Sequence, residues 1–212
     1  MILKEPLQWE TVKTLVERYE LEKLGRSAEQ LQKYNDFKKK MRENNIDLAT
    51  HLFITTLKWL PPHADIHMTP EEAVKLIKPE DTRPFCNPHD VCITLNDFPY
   101  YIAGKTLHML VWVKFPMDPD PNSPIGDIDN SMKDIIEQYV RATFVKHAGV
   151  NRDDLIWWKN YAAIQSIKTI PHVHVLVNLE NDTDGTIERN LRSLLGSPGV
   201  MLDYNDPLEG KL

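Results

Sequence analysis

The sequence predicts an α+β fold in which helices pack against an antiparallel sheet, and three observations carry this prediction. Apolar residues recur at helical spacing through the first sixty residues. Short runs rich in β-branched and aromatic residues follow from residue 91 onward. An amphipathic stretch separates these runs into two pairs. The resulting order of helices, two strands, a helix, two strands and a helix is typical of an antiparallel sheet with packed helices.

The first sixty residues predict three helices. The first is expected to end near Gly25, and Ser27 followed by Gln30 predicts a capped start for the second. A third helix is expected at about residues 47–59, before a pair of prolines. No residue pattern in this region indicates chemistry, so we interpret it as a helical layer that packs on the rest of the chain.

The chain is predicted to have three parts. Residues 1–60 form the N-terminal helical extension, residues 61–90 a proline-rich connecting segment, and residues 91–212 an α+β core domain. The connecting segment contains one short helix, which begins at Thr69 and carries the signature of a capping box.

The core domain is predicted to hold four strands and two helices. The strands are expected at Val91–Leu95, Leu107–Phe115, Leu155–Trp158 and Pro171–Leu179, and the helices at about Asn130–His147 and Thr186–Leu195. The second helix is expected to stop at Gly196.

Composition narrows the classes of function. The net charge of −6 argues against nucleic acid or an anionic membrane as a partner, and the basic run that begins at Lys38 is interpreted as a solvated helix face. No apolar run reaches the roughly 20 residues of a membrane helix, and the N-terminus lacks the features of a signal peptide. With two cysteines, Cys86 and Cys92, no disulfide framework is expected. The chain is therefore predicted to be cytoplasmic, with the nucleus left open.

A metal site is not predicted in the connecting segment. It holds His63, His67, Cys86 and His89, but their spacing matches no zinc-binding pattern. Surface loop residues are the better interpretation, and no cofactor is predicted anywhere in the chain.

The candidate site is the strand that contains two histidines, His172 and His174. Because side chains alternate along a strand, Val173, Val175 and Val177 share one face, which we expect to be the core, and the histidines share the other with Leu176. Histidines two residues apart lie about 7 Å from each other at the backbone, so their rings can converge on one ligand. The alternative is a pair of half-exposed structural histidines, and the strand alone does not decide between the two.

Neighbouring residues resemble the signature of the histidine-triad superfamily, over residues 91–179. Those that carry the resemblance are Asn96-Asp97-Phe98-Pro99-Tyr100, His108, Asn160, Gln165, Ser166, His172 and His174. The resemblance implies a histidine-triad-like core, with His174 as the nucleophile that attacks a phosphate and His172 as the residue that orients it. It also implies ligand binding by Asn96, His108, Asn160, Gln165 and Ser166. Two features depart from that pattern: Leu176 stands at the third histidine position, and the segment from Gln165 to His172 is too long.

A second resemblance spans nearly the whole chain, to the fungal N-acetylglucosamine-induced protein family. It rests on Leu21-Glu22-Lys23-Leu24-Gly25-Arg26-Ser27, Asn96-Asp97-Phe98-Pro99-Tyr100, Val111-Trp112-Val113-Lys114, Trp158-Lys159-Asn160, Gln165-Ser166 and His172-Val173-His174-Val175-Leu176. The family is defined by sequence. Its name associates it with amino-sugar metabolism and specifies no reaction.

Together these features predict a protein that binds a phosphate-containing ligand, either a nucleotide, a nucleotide-sugar or a sugar phosphate, against His172 and His174. Phosphohydrolase or nucleotidyl-transfer activity through His174 is left open, as is binding without turnover. The alternative is a non-enzymatic regulatory or adaptor protein, in which the N-terminal helices dock a protein partner and the histidines are structural. A metal enzyme that recruits His108 as a third ligand is the least favoured interpretation.

Overall fold

A computed structural model describes residues 1–165 and 167–204 of the chain. Within them the α-helices are α1 (Trp9–Glu17), α2 (Ala28–Glu43), α3 (Leu48–Thr55), α4 (Pro70–Leu76), α5 (Asn130–Val140) and α6 (Thr186–Ser193). A π-helical stretch, Arg141–His147, continues α5. Short 3₁₀ turns lie at Leu21–Lys23, Pro88–Asp90, Arg152–Asp154 and Ala162–Ile164.

One four-stranded sheet organises the fold. Its strands are β1 (Val91–Leu95), β2 (Thr106–Val113), β3 (Leu155–Trp158) and β4 (His172–Asn178). They lie in the order β1-β2-β4-β3, and every neighbouring pair is antiparallel. The predicted α+β class and the antiparallel sheet are therefore confirmed, and the histidine strand β4 lies at the centre of the sheet.

The main core lies between one face of the sheet and the helices that follow β2 and β4. Val173, Val175 and Val177 of β4 point to this side and are at most 1% exposed. They pack with Ile136, Tyr139 and Phe144 of α5 and its π-helical continuation, and with Leu191 of α6. The period-two alternation of β4 thus gives the core face that the sequence predicts.

The opposite face of the sheet is covered by the N-terminal helices in two separate clusters. Val12 and Leu15 of α1 pack on Ile156, Trp158 and Leu176 at the β3–β4 side. Buried residues of α3 and α4, with the segments that follow them, pack at the β1–β2 side; this second cluster is Ala49, Phe53, Leu57, Leu60, Ala73, Ile77, Cys92, Leu110, Trp112 and Ile170. The sheet is therefore sandwiched between two helical layers, and the histidines of β4 lie between the two clusters.

Local signals set where the N-terminal helices begin and end. The Ser27 hydroxyl accepts a hydrogen bond from the Gln30 backbone N–H at 3.1 Å, and Thr69 forms a complete capping box with Glu72. The prediction that α1 runs to Gly25 is wrong. The helix ends at Glu17 because Tyr19 takes a left-handed conformation (φ 56°), which lets the Glu20 N–H bond to the Leu15 carbonyl at 2.9 Å.

None of the helices in the described ranges combines the length and the apolar character that spanning a membrane requires.

Candidate functional site

A cavity of about 210 Å³ lies between the histidines of the sheet and helices α2 and α3. The sheet contributes the floor, which includes Thr94, Leu110, Trp112, His172 and His174. The helical layer and the loops contribute the walls. These residues are Arg26, Tyr34, Phe37, Leu48, His51, Leu52, Thr56, Asn96, Asp97, Phe98, Tyr100, Asn160 and Ile167. The walls are mainly aromatic and aliphatic, with a small number of polar groups, as is typical of a small-molecule site.

His174 forms a direct hydrogen bond with His108. Its Nδ1 lies 2.9 Å from His108 Nε2. In the register of β2 and β4, His174 pairs with Leu110 and His108 pairs with Leu176, so the two histidines are diagonal neighbours on one face of the sheet. The ring of His174 also stacks on Trp158, with centroids 5.0 Å apart and planes 5° apart.

Hydrogen-bond donors fix the tautomers of this pair. The Trp158 indole can only donate, and its Nε1 lies 3.1 Å from Asn160 Oδ1, so the Asn160 Nδ2 group must face His174 Nε2, 3.2 Å away. His174 Nε2 is then the acceptor, and a neutral His174 carries its proton on Nδ1 and donates it to His108. Both ring nitrogens of His174 are therefore engaged by protein groups, and an attack on phosphorus through Nε2 would first require Asn160 to move.

Burial keeps these histidines neutral. His108, His172 and His174 are between 5% and 7% exposed, because the N-terminal helices cover the face of the sheet that carries them. Burial lowers the pKa of His108 to about 3, with nearby Arg26 and His172 acting in the same direction. Burial lowers the pKa of His172 to about 4 and that of His174 well below its usual range. The alternative prediction that His172 and His174 are half-exposed is therefore wrong, because both are buried.

His172 differs from His174 in that the described residues engage only one of its ring nitrogens. Its Nδ1 lies 3.4 Å from the Ile170 carbonyl oxygen, and its ring packs on Trp112 with centroids 4.4 Å apart. Its Nε2 has no hydrogen-bond partner among the residues that the structure describes, and His172 lines the cavity. A neutral ring that donates through Nδ1 presents Nε2 as an acceptor for a ligand hydroxyl or N–H.

Arg26 supplies a fixed positive charge in the cavity wall. Its Nε donates to the Phe98 carbonyl at 2.9 Å, and its guanidinium lies over the rings of Tyr34 (5.0 Å) and Tyr100 (5.3 Å). No carboxylate among residues 1–165 and 167–204 forms an ion pair with Arg26. Its terminal nitrogens are therefore available to an anion.

The backbone around Arg26 is held by the N-terminus and by the β1–β2 connection. The Arg26 carbonyl accepts from Leu3 N–H, and the Gly25 carbonyl accepts from Tyr101 N–H, both at 2.9 Å. A side chain at position 25 would meet Leu3 Cγ at 2.8 Å, so glycine permits this close approach. The glycine that the sequence suggests as a helix stop instead helps to position Arg26.

The predicted site residues divide into those on the cavity and those behind it. Asn96, Asn160, His172 and His174 line the cavity. His108 lies behind His174 and borders a neighbouring depression. Gln165 donates from Nε2 to the Asn160 carbonyl oxygen at 2.6 Å and so supports Asn160 without lining the cavity. Ser166 lies outside the described residues.

The N-terminal region contributes cavity residues that no sequence pattern predicts. Arg26, Tyr34, Phe37 and His51 line the cavity, although that region carries no recognisable chemical pattern. Arg26 lies within one of the motifs that carry the resemblance to the N-acetylglucosamine-induced family, which is the one signal that could have indicated it.

Metal-ligating side chains do not converge in the described part of the chain: no group of three or more His, Cys, Asp or Glu side chains there is arranged to hold an ion. The fold does bring His108 to His174, but the two rings are joined by a hydrogen bond rather than opened toward a common point. In the connecting segment His89 contacts Glu80 at 3.0 Å, and His67 Nδ1 lies 3.1 Å from the Asn45 carbonyl oxygen.

Comparison with known proteins gives a family and two fungal relatives. A family described as proteins of unknown function (DUF3605) matches residues 8–178. The N-acetylglucosamine-induced protein 1 of Candida albicans is 30% identical over 205 residues, which cover 95% of this chain and 78% of that protein. An uncharacterized protein of Saccharomyces cerevisiae is 24% identical over 170 residues, covering 80% of this chain and 78% of that one.

A solved structure shares the fold. The crystal structure of HTC1 superposes with a TM-score of 0.69 at 21% identity, over 92% of this chain and 99% of that one. The resemblance to the N-acetylglucosamine-induced family is confirmed by these matches. The resemblance to the histidine-triad superfamily gains no support from them and stays a prediction.

Proposed function

The chain belongs to this family of proteins of unknown function, and we propose that it binds a small phosphate-bearing ligand in the cavity beneath its N-terminal helices. The observation that carries the proposal is Arg26, a guanidinium without a carboxylate partner among the described residues, fixed in the wall of a cavity that also exposes His172 Nε2. Arginine binds phosphate through two parallel hydrogen bonds, and a guanidinium held in place loses little entropy when it does so.

The size of the cavity favours a compact ligand. Pockets for drug-sized molecules begin at roughly 300 Å³, and this cavity holds about 210 Å³. A sugar monophosphate suits that volume better than a nucleotide-sugar, which carries a base, two sugars and two phosphates. Exposed Asp97 at the edge of the cavity, together with Asn160 and His172, supplies partners for sugar hydroxyls, while the aromatic walls suit the apolar face of a pyranose ring.

The name of the Candida relative, N-acetylglucosamine-induced protein 1, helps to choose among the sugar monophosphates. It is consistent with a ligand drawn from the amino-sugar phosphates. We therefore name N-acetylglucosamine 6-phosphate as the first ligand to test.

Binding without turnover fits the hydrogen bonds better than catalysis does. The predicted nucleophile, His174, has its Nε2 lone pair occupied by Asn160 and its Nδ1 proton directed at His108. Leu176, at the third histidine position, is fully buried in the cluster beneath α1 and cannot contact a leaving group. The histidines then act as neutral partners that shape and satisfy the polar floor of the cavity.

A thermal-shift and calorimetric comparison tests the proposal. The panel consists of N-acetylglucosamine 6-phosphate, N-acetylglucosamine, uridine monophosphate, UDP-N-acetylglucosamine and inorganic phosphate. We expect the sugar monophosphate to stabilise the wild type by about 3 kcal/mol at a hundredfold excess over Kd. The unphosphorylated sugar should bind far more weakly.

Two arginine variants distinguish the cavity from general charge attraction. Arg26→Met should weaken binding of the sugar monophosphate about ten- to a hundredfold, since a charge-assisted hydrogen bond contributes roughly 1.5–3 kcal/mol. Arg42→Met, on the exposed surface of α2, is the matched control and should leave Kd unchanged. The proposal is overturned if no phosphate ligand in the panel stabilises the protein, or if the two variants bind the sugar monophosphate with equal affinity.

A further inference from the structure

We propose that Lys159 is a covalent attachment site, whose amine forms an imine with a small uncharged aldehyde or ketone in a second cavity. This cavity, also about 210 Å³, lies between the end of α1 and the end of β3 and shares no lining residue with the first. Its apolar walls include Val16, Leu21, Ile128 and Trp158. Four charged residues also line it: Lys159, Lys133, Glu17 and Asp127.

Lys159 is a buried amine that nothing in the described chain holds. Its side chain belongs to a residue only 8% exposed, yet its Nζ forms no hydrogen bond or ion pair with residues 1–165 or 167–204. Within those ranges Thr169 Oγ1 is the one side-chain nitrogen or oxygen that is both fully buried and without a hydrogen-bond partner. Because Lys159 Nζ also lacks a partner, it must be accessible to solvent. An unpartnered amine that reaches open space in a mainly apolar cavity is unusual, because buried ammonium groups are normally paired.

Lys133 provides the contrast within the same cavity. Its ammonium lies 2.7 Å from the Asp127 carboxylate and 2.7 Å from the Tyr19 hydroxyl, and it sits over the Tyr19 ring. Burial opposes its charge, but these two hydrogen bonds outweigh that effect and raise the pKa of Lys133. For Lys159 burial prevails over the more distant Asp127 and Asp118 carboxylates and lowers the pKa of the amine.

The two lysines are therefore suited to different roles. Lys133 stays charged and uses Asp127 as its partner, whereas Lys159 has a larger neutral fraction at neutral pH. Neutral amines attack carbonyl groups, and desolvation in an apolar pocket is an established way to activate a lysine for this reaction.

Imine formation at Lys159 needs the carbonyl compound as its sole co-reactant. The Nζ lone pair forms a bond to the carbonyl carbon while the C=O π electrons move to oxygen. A proton passes from nitrogen to that oxygen to give a carbinolamine. Its hydroxyl group then leaves as water after protonation, and loss of the remaining N–H proton gives the imine. No oxidant or reductant takes part.

Reductive trapping on the native protein tests this assignment. The wild type is treated at pH 7 with limiting propanal and sodium cyanoborohydride, whose hydride converts any imine to a stable secondary amine, and labelled peptides are mapped by mass spectrometry. We expect Lys159 to be labelled several-fold faster than Lys133 and than Lys39, which is exposed on α2. The pH at which labelling reaches half its maximum should also be lower for Lys159 than for Lys133.

Two variants serve as controls for the site of labelling. Lys159→Arg should abolish the fast labelling, and Lys133→Arg, which retains the pairing charge, should leave it in place. Labelling of Lys159 at the rate of Lys39, or labelling only after denaturation, would overturn the assignment. Because the native wild type is the main sample, the result does not depend on how well either variant folds.

Discussion

Mild acid should destabilise this protein through its three buried histidines. Burial lowers all three pKa values from the usual value near 6.5. The pKa is about 3 for His108, about 4 for His172 and well below the usual value for His174. The folded state therefore holds them neutral, while the unfolded chain takes up protons below about pH 6.5. The stabilisation is present above that pH and is lost as the pH falls toward the folded values.

The magnitude follows from proton uptake by the unfolded chain. Between pH 7 and pH 5 an unfolded histidine becomes almost fully protonated, while a histidine held neutral in the fold does not, and linkage gives about 2 kcal/mol for each. Three such histidines give an upper limit of about 6 kcal/mol, comparable with the whole stability of an ordinary domain. Carboxyl groups titrate mainly below this window, so the histidines dominate it.

Urea unfolding at pH 7 and pH 5 measures the effect, with His108→Gln as the test variant. Glutamine can still accept the hydrogen bond from His174 Nδ1 but does not titrate, so the variant should lose about 2 kcal/mol less than the wild type between the two pH values. His63→Gln, at an exposed position, is the control and should behave as wild type. Equal stability of the wild type at pH 7 and pH 5, or an unchanged loss in His108→Gln, would refute the reasoning.

Three further substitutions test the fold and the site. Val175→Asp buries an unpaired charge in the main core and should cost more than about 4 kcal/mol of unfolding free energy in urea; a cost below 1 kcal/mol would mean that the faces of β4 are assigned wrongly. Asn160→Leu leaves Trp158 Nε1 and His174 Nε2 unpaired and should cost roughly 2–4 kcal/mol, and a neutral effect would contradict the hydrogen-bond chain. Thr69→Ala removes a helix cap and should cost about 1 kcal/mol, which Thr69→Ser should restore.

Periodicity predicted the sheet and its two faces because alternation is a local property of a strand. The valines of β4 lie in the main core, and His172, His174 and Leu176 lie on the other side, as the pattern requires. The extents of β1 and β3 also match their predicted bounds, since turn residues and capping side chains mark both.

What covers the histidine face could not be predicted in the same way. An amphipathic stripe shows that a helix buries one side but does not identify the surface against which it packs. The cavity depends on such long-range packing: Arg26 meets Phe98, and Tyr34 packs on Phe98 with centroids 5.1 Å apart. The hydrogen bond between His108 and His174 likewise depends on the register of β2 against β4.

The polar character of the site was visible in the sequence, whereas its charge was not. Their chemistry predicts Asn160 and the two histidines of β4, and the histidine-triad resemblance predicts Asn96; all four line one cavity. Arg26 follows a glycine in a turn between helices, and no local chemical pattern there indicates its role; its place in a motif of the N-acetylglucosamine-induced family is the one signal in the sequence.

A phosphate ligand is proposed to occupy the cavity between His172 and Arg26. Nitrogen-15 NMR of histidine-labelled protein, titrated with N-acetylglucosamine 6-phosphate, tests it most directly. We predict that the His172 Nε2 resonance shifts saturably, in step with calorimetric binding, while the His108 resonances move little and Arg26→Met requires at least tenfold more ligand. A His172 Nε2 resonance that does not move when calorimetry shows the protein to be saturated would contradict the account.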